Sequence, residues 1–285
     1  MIGRFARSWE LAKASARVLR SDKELLLFPV MSAVAMLLVI ASFAVPIFGS
    51  GVYERYLGAA GGTPPDRALL YVASFAFYVV QYTVIFFFNS ALVGAAMIRL
   101  DGGDPTVSDG LRIARRKIVP ILGYAVISAT VGMVLRTIEE QAGFVGRIVI
   151  ALIGATWAVA TAMVVPVLVT RDVGPVDAVK ESAGLLRRTW GENLIGNGGI
   201  GIVFGLLTVA AFLVGGALTV VALGSHMVPL VIACASLTVV TVLGLMLVQS
   251  TLNGIYSAAL YRYASTGQAP SGFGGETLQG AFRIR

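Results

Sequence analysis

The stretch VDAVKESAGLLRRTWGENLIGNGGIGIVFGLL, residues 176–207, decides the fold. In its first half Val176, Val179, Ala183, Leu186 and Trp190 step by three and four and share one helix face, while Lys180, Arg187 and Arg188 fall off that seam. Its second half carries no charge after Glu192 and is too apolar for a water-facing helix. No loop of ordinary length separates the halves. A helix with apolar groups on one side and Lys/Arg on the other settles in the headgroup plane. The stretch therefore reads as an interfacial helix that runs directly into a transmembrane one.

The same plan stands at two earlier places. Phe5, Trp9, Ala12, Ala16 and Leu19 share one face, and so do Val107, Leu111, Ala114 and Ile118. The even-numbered spans also end alike, in IRLDGG (98–103), TRDVG (170–174) and YRYASTG (261–267). The sequence thus predicts three parallel repeats, about 1–103, 104–174 and 175–267, each an amphipathic interfacial helix plus a hairpin of two spans. Asp104-Pro105 is expected to cap and start the second unit, and Gly174-Pro175 the third. A six-span domain over 1–265 is followed by a Gly-rich tail, 266–285, expected to be flexible and cytoplasmic.

Composition points the same way. The chain of 285 residues is 57% hydrophobic and 13% charged, with a mean hydropathy of +0.84. Six apolar runs, 25–48, 69–98, 118–135, 148–169, 194–221 and 228–260, reach the length of about 20 residues that roughly 30 Å of hydrocarbon requires. The expected class is an all-α polytopic membrane protein with six transmembrane helices. Eighteen Lys and Arg flank the runs on one side against four on the other. Both termini are therefore expected in the cytoplasm, with the protein in the cytoplasmic (inner) membrane. The first run is too long for a signal-peptide core of about 7–15 residues.

The net charge of +7 is accounted for by this collar meeting anionic headgroups, at about 1 kcal/mol per basic residue, so no nucleic-acid partner is expected. The candidate lipid-interface residues are Trp9, Arg17, Arg115, Arg116, Arg187, Arg188 and Trp190.

Catalytic chemistry is hard to build from these residues. Cys234 is the only cysteine and His226 the only histidine, so no disulfide or metal site is expected. No carboxylate falls at a span centre, which argues against a carboxylate relay. Glu139 and Glu140, placed after the third span between Arg136 and Arg147, read as a solvated loop with local ion pairs. Gln81, Asn89, Ser90, Gln249 and Asn253 form a candidate polar path; interhelical hydrogen bonding is the simpler use of such groups. Gly198, Gly201 and Gly205 form a small-residue face on the fifth span, suited to a homodimer seam or to packing within one chain. Pro166 is expected to kink the fourth. No catalytic residue, metal or cofactor is expected, and the chain is not read as an enzyme.

Three segments, SWELAKASARVLRSDKELLLFPVMSA (8–33), FFFNSALVGAA (86–96) and WAVATAMVVPVLVTRDVGPVDAVKESAGLLRRTWGENLIGNGG (157–199), resemble an uncharacterised family of prokaryotic six-span membrane proteins, a domain of unknown function. The likeness covers most of the chain to about residue 265. More distantly it is similar to the membrane domain attached to some glycerophosphodiester phosphodiesterases, which implies proximity to lipid chemistry. The phosphodiesterase domain itself has no counterpart here, and the family brings no catalytic residues. The expected function is a non-enzymatic membrane protein that self-associates, as a homo-oligomer, or scaffolds lipids and partners. A passive channel or transporter, and an accessory subunit of a lipid-metabolising enzyme, are the alternatives.

Overall fold

The computed structural model describes residues 13–49, 51, 64–188, 193–224 and 227–267, which hold helices and no strands. A helical segment α1 (13–21) leads through a 3-10 turn, Lys23–Leu26, into α2 (Leu27–Gly49). There follow α3 (Pro64–Leu100), α4 (Val107–Arg116), α5 (Ile118–Gln141), α6 (Phe144–Ala160) and α7 (Val164–Thr170). The chain continues through α8 (Pro175–Arg188), α9 (Asn193–Gly224) and α10 (Val228–Thr266). Six segments are long and apolar enough to cross a membrane: Lys23–Gly49, Ala68–Leu100, Ile118–Gln141, Phe144–Thr170, Ile200–Gly224 and Val228–Thr266. The protein is all-α and compatible with a multi-pass membrane protein.

Two of these helices exceed the bilayer. At about 1.5 Å per residue, the 37 residues of α3 and the 39 of α10 are far longer than the roughly 30 Å of a bilayer's hydrocarbon. Both are continuous, and both bury their C-terminal parts: Ser90–Ala96 in α3 and Thr251, Leu252 and Gly254–Tyr256 in α10. Their ends are closed by left-handed glycines. Gly102 (φ 86°) and Gly103 return N–H groups to the carbonyls of Arg99 and Ile98, so the last turn of α3 is satisfied twice. Gly267 (φ 72°) donates to Tyr263 and closes α10. The 170–174 segment differs, since Arg171 is extended after α7.

Asp104 does not cap α4. The cap is Thr106, whose hydroxyl accepts from the Asp109 N–H (3.2 Å) while the Asp109 carboxylate accepts from the Thr106 N–H (3.0 Å). This reciprocal pair satisfies two backbone donors and moves the start two residues on; Asp104 pairs instead with Arg99 at 3.1 Å. Pro175 does open α8, and Gly174 accepts the Ala178 N–H at 2.9 Å.

The chain folds as two compact units: one contains the described residues of 1–29, 96–105 and 188–285, the other those of 30–95 and 106–187. In the first, α9 lies along α10, and the 3-10 turn packs on α10 with Leu25 and Phe28 buried. A Cβ at Gly215 would fall inside the Thr238 side chain, so only glycine permits this approach. Arg262 at the end of α10 pairs with Asp101 just beyond α3.

In the second unit Phe86 of α3 stacks on Tyr124 of α5 with centroids 4.4 Å apart. Lys117, between α4 and α5, donates to the Arg171 carbonyl (2.8 Å) and the Asp172 carboxylate (2.5 Å), and Arg171 pairs with Glu181 of α8 (2.9 Å).

The fourth span is interrupted. α6 stops at Ala160 and α7 starts at Val164; the break between them lies about one turn before Pro166, whose ring crowds that turn and which has no N–H to give back. The break frees the Ala160 carbonyl and the Met163 N–H. Ser182 of α8, fully buried, donates to the first (2.7 Å) and accepts from the second (3.1 Å).

The short helices turn mainly small residues towards the rest of the protein. α1 buries Ala14, Ser15 and Val18, α4 buries Gly110 and Ala114, and α8 buries Ala178, Ser182 and Leu186. Ala16 and Leu19 are half-buried, while Val176 and Ile118 are exposed. Small residues allow close contact with neighbouring helices, so they form the seam and leave aliphatic groups outward. Phe5, Trp9, Ala12 and Trp190 lie outside the described residues, as does the tail from 268 on.

Candidate functional site

Arg136 and Glu140 are four apart on α5, so one helical turn brings their side chains together. The Arg136 Nε donates to Glu140 Oε1 at 3.0 Å. Its Nη1 donates to the Tyr78 hydroxyl of α3 at 2.6 Å. These residues lie within the last turns of a helix that continues to Gln141. The expected loop after residue 135 is therefore helical, though its expected ion pair is present.

A cavity of about 390 Å³ opens beside this pair, between α2, α3 and α5. Ile40, Phe43, Ala44 and Ile47 of α2 wall it, with Ala73, Phe77 and Met133 opposite; Tyr71, Ser74, Tyr78, Arg136, Thr137 and Glu140 supply its polar atoms. Phe43 and Phe77 meet edge to face, 5.4 Å between centroids. A second cavity of about 370 Å³ is lined by Pro46, Leu69 and Leu70 and shares Phe43, Ile47 and Ala73 with the first. The two make one largely apolar groove with a charged rim. From Lys117 to Arg136 along α5 is about 28 Å at the helical rise, close to the roughly 30 Å of a bilayer's hydrocarbon.

Gln81, Asn89 and Ser90 belong to one unit, Gln249 and Asn253 to the other. Gln249 and Asn253 are one turn apart on α10. Ser90 Oγ and Asn253 Oδ1 are buried with no hydrogen-bond partner among the described residues, as is the Tyr256 hydroxyl. A Cβ at Gly201 or Gly205 would meet nothing within 4 Å. The expected small-residue seam is thus unoccupied by any other described helix; Gly215, not singled out from the sequence, makes the close approach. Arg17, Arg115 and Arg116 are exposed. The surroundings of Arg187, Arg188 and Gly198 fall outside what is described, although their backbones are helical. Among those described, no three His, Cys, Asp or Glu come together as metal ligands.

Two residues overlooked in the sequence are Ser182, described above, and Asp22. Asp22 is 6% exposed, and its Oδ2 has no hydrogen-bond partner among the described residues. Burial raises its pKa above the ordinary aspartate value, while the backbone of Glu24 and the charge of Arg99 oppose the shift. Asp172 is the contrary case, lowered by its hydrogen bond and charge pairing with Lys117.

No curated protein matches the chain, and no solved structure does. Residues 68–273 match a family of unknown function, DUF6159, and the match carries no link to glycerophosphodiester phosphodiesterases. That matched segment contains five of the six span-length helices, the α3 and α5 sides of the groove, and the Ser182 lock. The chain belongs to the DUF6159 family.

Proposed function

We propose that this is a non-enzymatic integral membrane protein whose role is to hold membrane lipid in the groove of α2, α3 and α5. The supporting observation is the joining of an apolar cavity of about 390 Å³, within the roughly 300–1,000 Å³ of small-molecule sites, to an Arg136–Glu140–Tyr78 rim, which with Lys117 at one interface would stand near the headgroups of the other. An acyl chain in contact with Phe43, Ile47 and Phe77 leaves its polar end at that rim. In this reading the protein lies in the inner membrane with both termini cytoplasmic. Its three interfacial segments meet anionic headgroups through residues such as Arg17, Arg115 and Arg116. The three-unit organisation and self-association through the Gly201–Gly205 face belong to the same proposal.

A channel or transporter finds some favour in the broken fourth span, because non-helical backbone at membrane depth usually lines a cavity. Ser182 closes that break, which weighs against it. An accessory role beside a lipid enzyme is compatible with lipid holding.

The test is native mass spectrometry of the protein released from nanodiscs. The wild type should retain about one phospholipid that Ala73→Trp, which fills the groove, does not. Equal retention by the two would remove the basis for the proposal.

A further inference from the structure

We infer that the groove selects a zwitterionic phospholipid with a primary ammonium, phosphatidylethanolamine in chemical class. The phosphate would sit on Arg136 and the ammonium on Glu140. This rests on the lipid-holding reading above and deepens it.

The argument is one of unused hydrogen-bonding capacity. Arg136 spends Nε on Glu140 and one Nη1 hydrogen on Tyr78. Its Nη2 makes no hydrogen bond among the described residues, and neither does Glu140 Oε2. A guanidinium offers five N–H groups and a carboxylate about four acceptor sites, so each partner has an open half beside the pair. Both residues line the cavity. The rim therefore presents one anion donor and one cation acceptor together, with the Tyr78 hydroxyl fixing the guanidinium from α3. Thr137, whose hydroxyl already donates to the Met133 carbonyl at 2.9 Å, adds only acceptor capacity, which again suits an ammonium.

Other headgroups fit less well. A purely anionic one meets the Glu140 carboxylate beside the cation it seeks, so the net charge of the pair offers it little. Glu139 and Arg147, both exposed near this end, add one charge of each sign and leave the balance unchanged. Choline carries no N–H to donate, so Glu140 Oε2 would stay without its hydrogen bond.

The test uses full-length protein in nanodiscs with equal phosphatidylethanolamine, phosphatidylcholine and phosphatidylglycerol, with retained lipids counted by native mass spectrometry. The wild type should enrich phosphatidylethanolamine over both others. Glu140→Gln should lower that enrichment roughly tenfold, the worth of one hydrogen bond to a charged group. Glu140→Lys, which turns the pair doubly positive, should move the preference to phosphatidylglycerol. Arg136 and Glu140 are 63% and 65% exposed, so these variants should keep the fold, checked by circular dichroism.

Enrichment unchanged in Glu140→Gln, or no gain of phosphatidylglycerol in Glu140→Lys, overturns the inference. So does a wild type that retains all three lipids equally, though lipid holding then survives. No lipid retained beyond the Ala73→Trp level overturns both.

Discussion

Removing the Ser182 hydroxyl should cost more than most single-atom deletions in this protein. At the break in the fourth span, Thr161 N–H goes to Trp157, Ala162 N–H to Val159 and Val164 N–H to Thr161. The Ala160 carbonyl and the Met163 N–H are left for Ser182. Ser182→Ala strands both, and a buried unsatisfied group costs about 1–3 kcal/mol. Partial rewinding of the break recovers some of this, so we expect a loss of about 2–4 kcal/mol.

Pro166 supplies the internal control. It gives no N–H to Ala162, so it opposes rewinding. In Pro166→Ala that donor returns, the helix can close, and Ser182→Ala should cost at least about 1 kcal/mol less in this background, a coupling readable in a double-mutant cycle. Reversible unfolding in mixed micelles, followed by Trp157 fluorescence in a protein whose other tryptophans are Phe, gives the energies. A Ser182→Ala variant within about 0.5 kcal/mol of wild type, the range of ordinary surface changes, would refute the reasoning.

Gly215→Ala should destabilise by about 1–3 kcal/mol through overpacking against Thr238, and Thr238→Ser should recover part of it in the same assay. Thr106→Ala should cost about 1 kcal/mol by opening the cap of α4, measured as a shift in the denaturation midpoint. Asp22→Asn tests the buried carboxyl. A raised pKa means that this group favours the fold while protonated, and that the contribution disappears as pH rises through its folded value. Melting curves from pH 4 to pH 7 should show Asp22→Asn gaining on wild type as pH rises; parallel curves would contradict the assignment.

The spans were legible because each needs only a long uncharged run, and every expected run lies within or closely overlaps a span-length helix. Their ends were less so. Asp104-Pro105 has good local capping chemistry, but Thr106 and Asp109 satisfy two donors at once and win. The apolar seam of α8 names groups turned outward, Val176 among them, but not all the residues on which the helix packs. Hydrophobic periodicity ranks Val176 above Ser182, whereas a helix lying against other helices favours small side chains that let backbones approach. The groove was invisible as a whole, since Tyr78 and Arg136 are 58 residues apart. Half of it was within reach: Arg136 and Glu140 at helical spacing announce a pair, had the third span been extended by six residues.

The glycines show why the remainder could not be read. Gly201 and Gly205 carry small-residue spacing, yet a Cβ there would meet nothing within 4 Å among the described residues, while Gly215, in the like spacing Ala211–Gly215–Thr219, meets Thr238 so closely that no side chain fits. Spacing along one helix states only that a close approach is sterically allowed there. Whether it happens depends on what the neighbouring helix presents, and Thr238 is held in place by its own hydroxyl bonding the Cys234 carbonyl at 2.8 Å. The same logic separates Ser182 from the other buried hydroxyls. Ser90 and Ser128 are as small and as deeply placed in the sequence pattern, yet among the described residues Ser182 is the one that faces a backbone opened by a proline of another helix. A polar group on the packed face of a helix becomes informative once its partner is known, and that partner is set by the defect in another element.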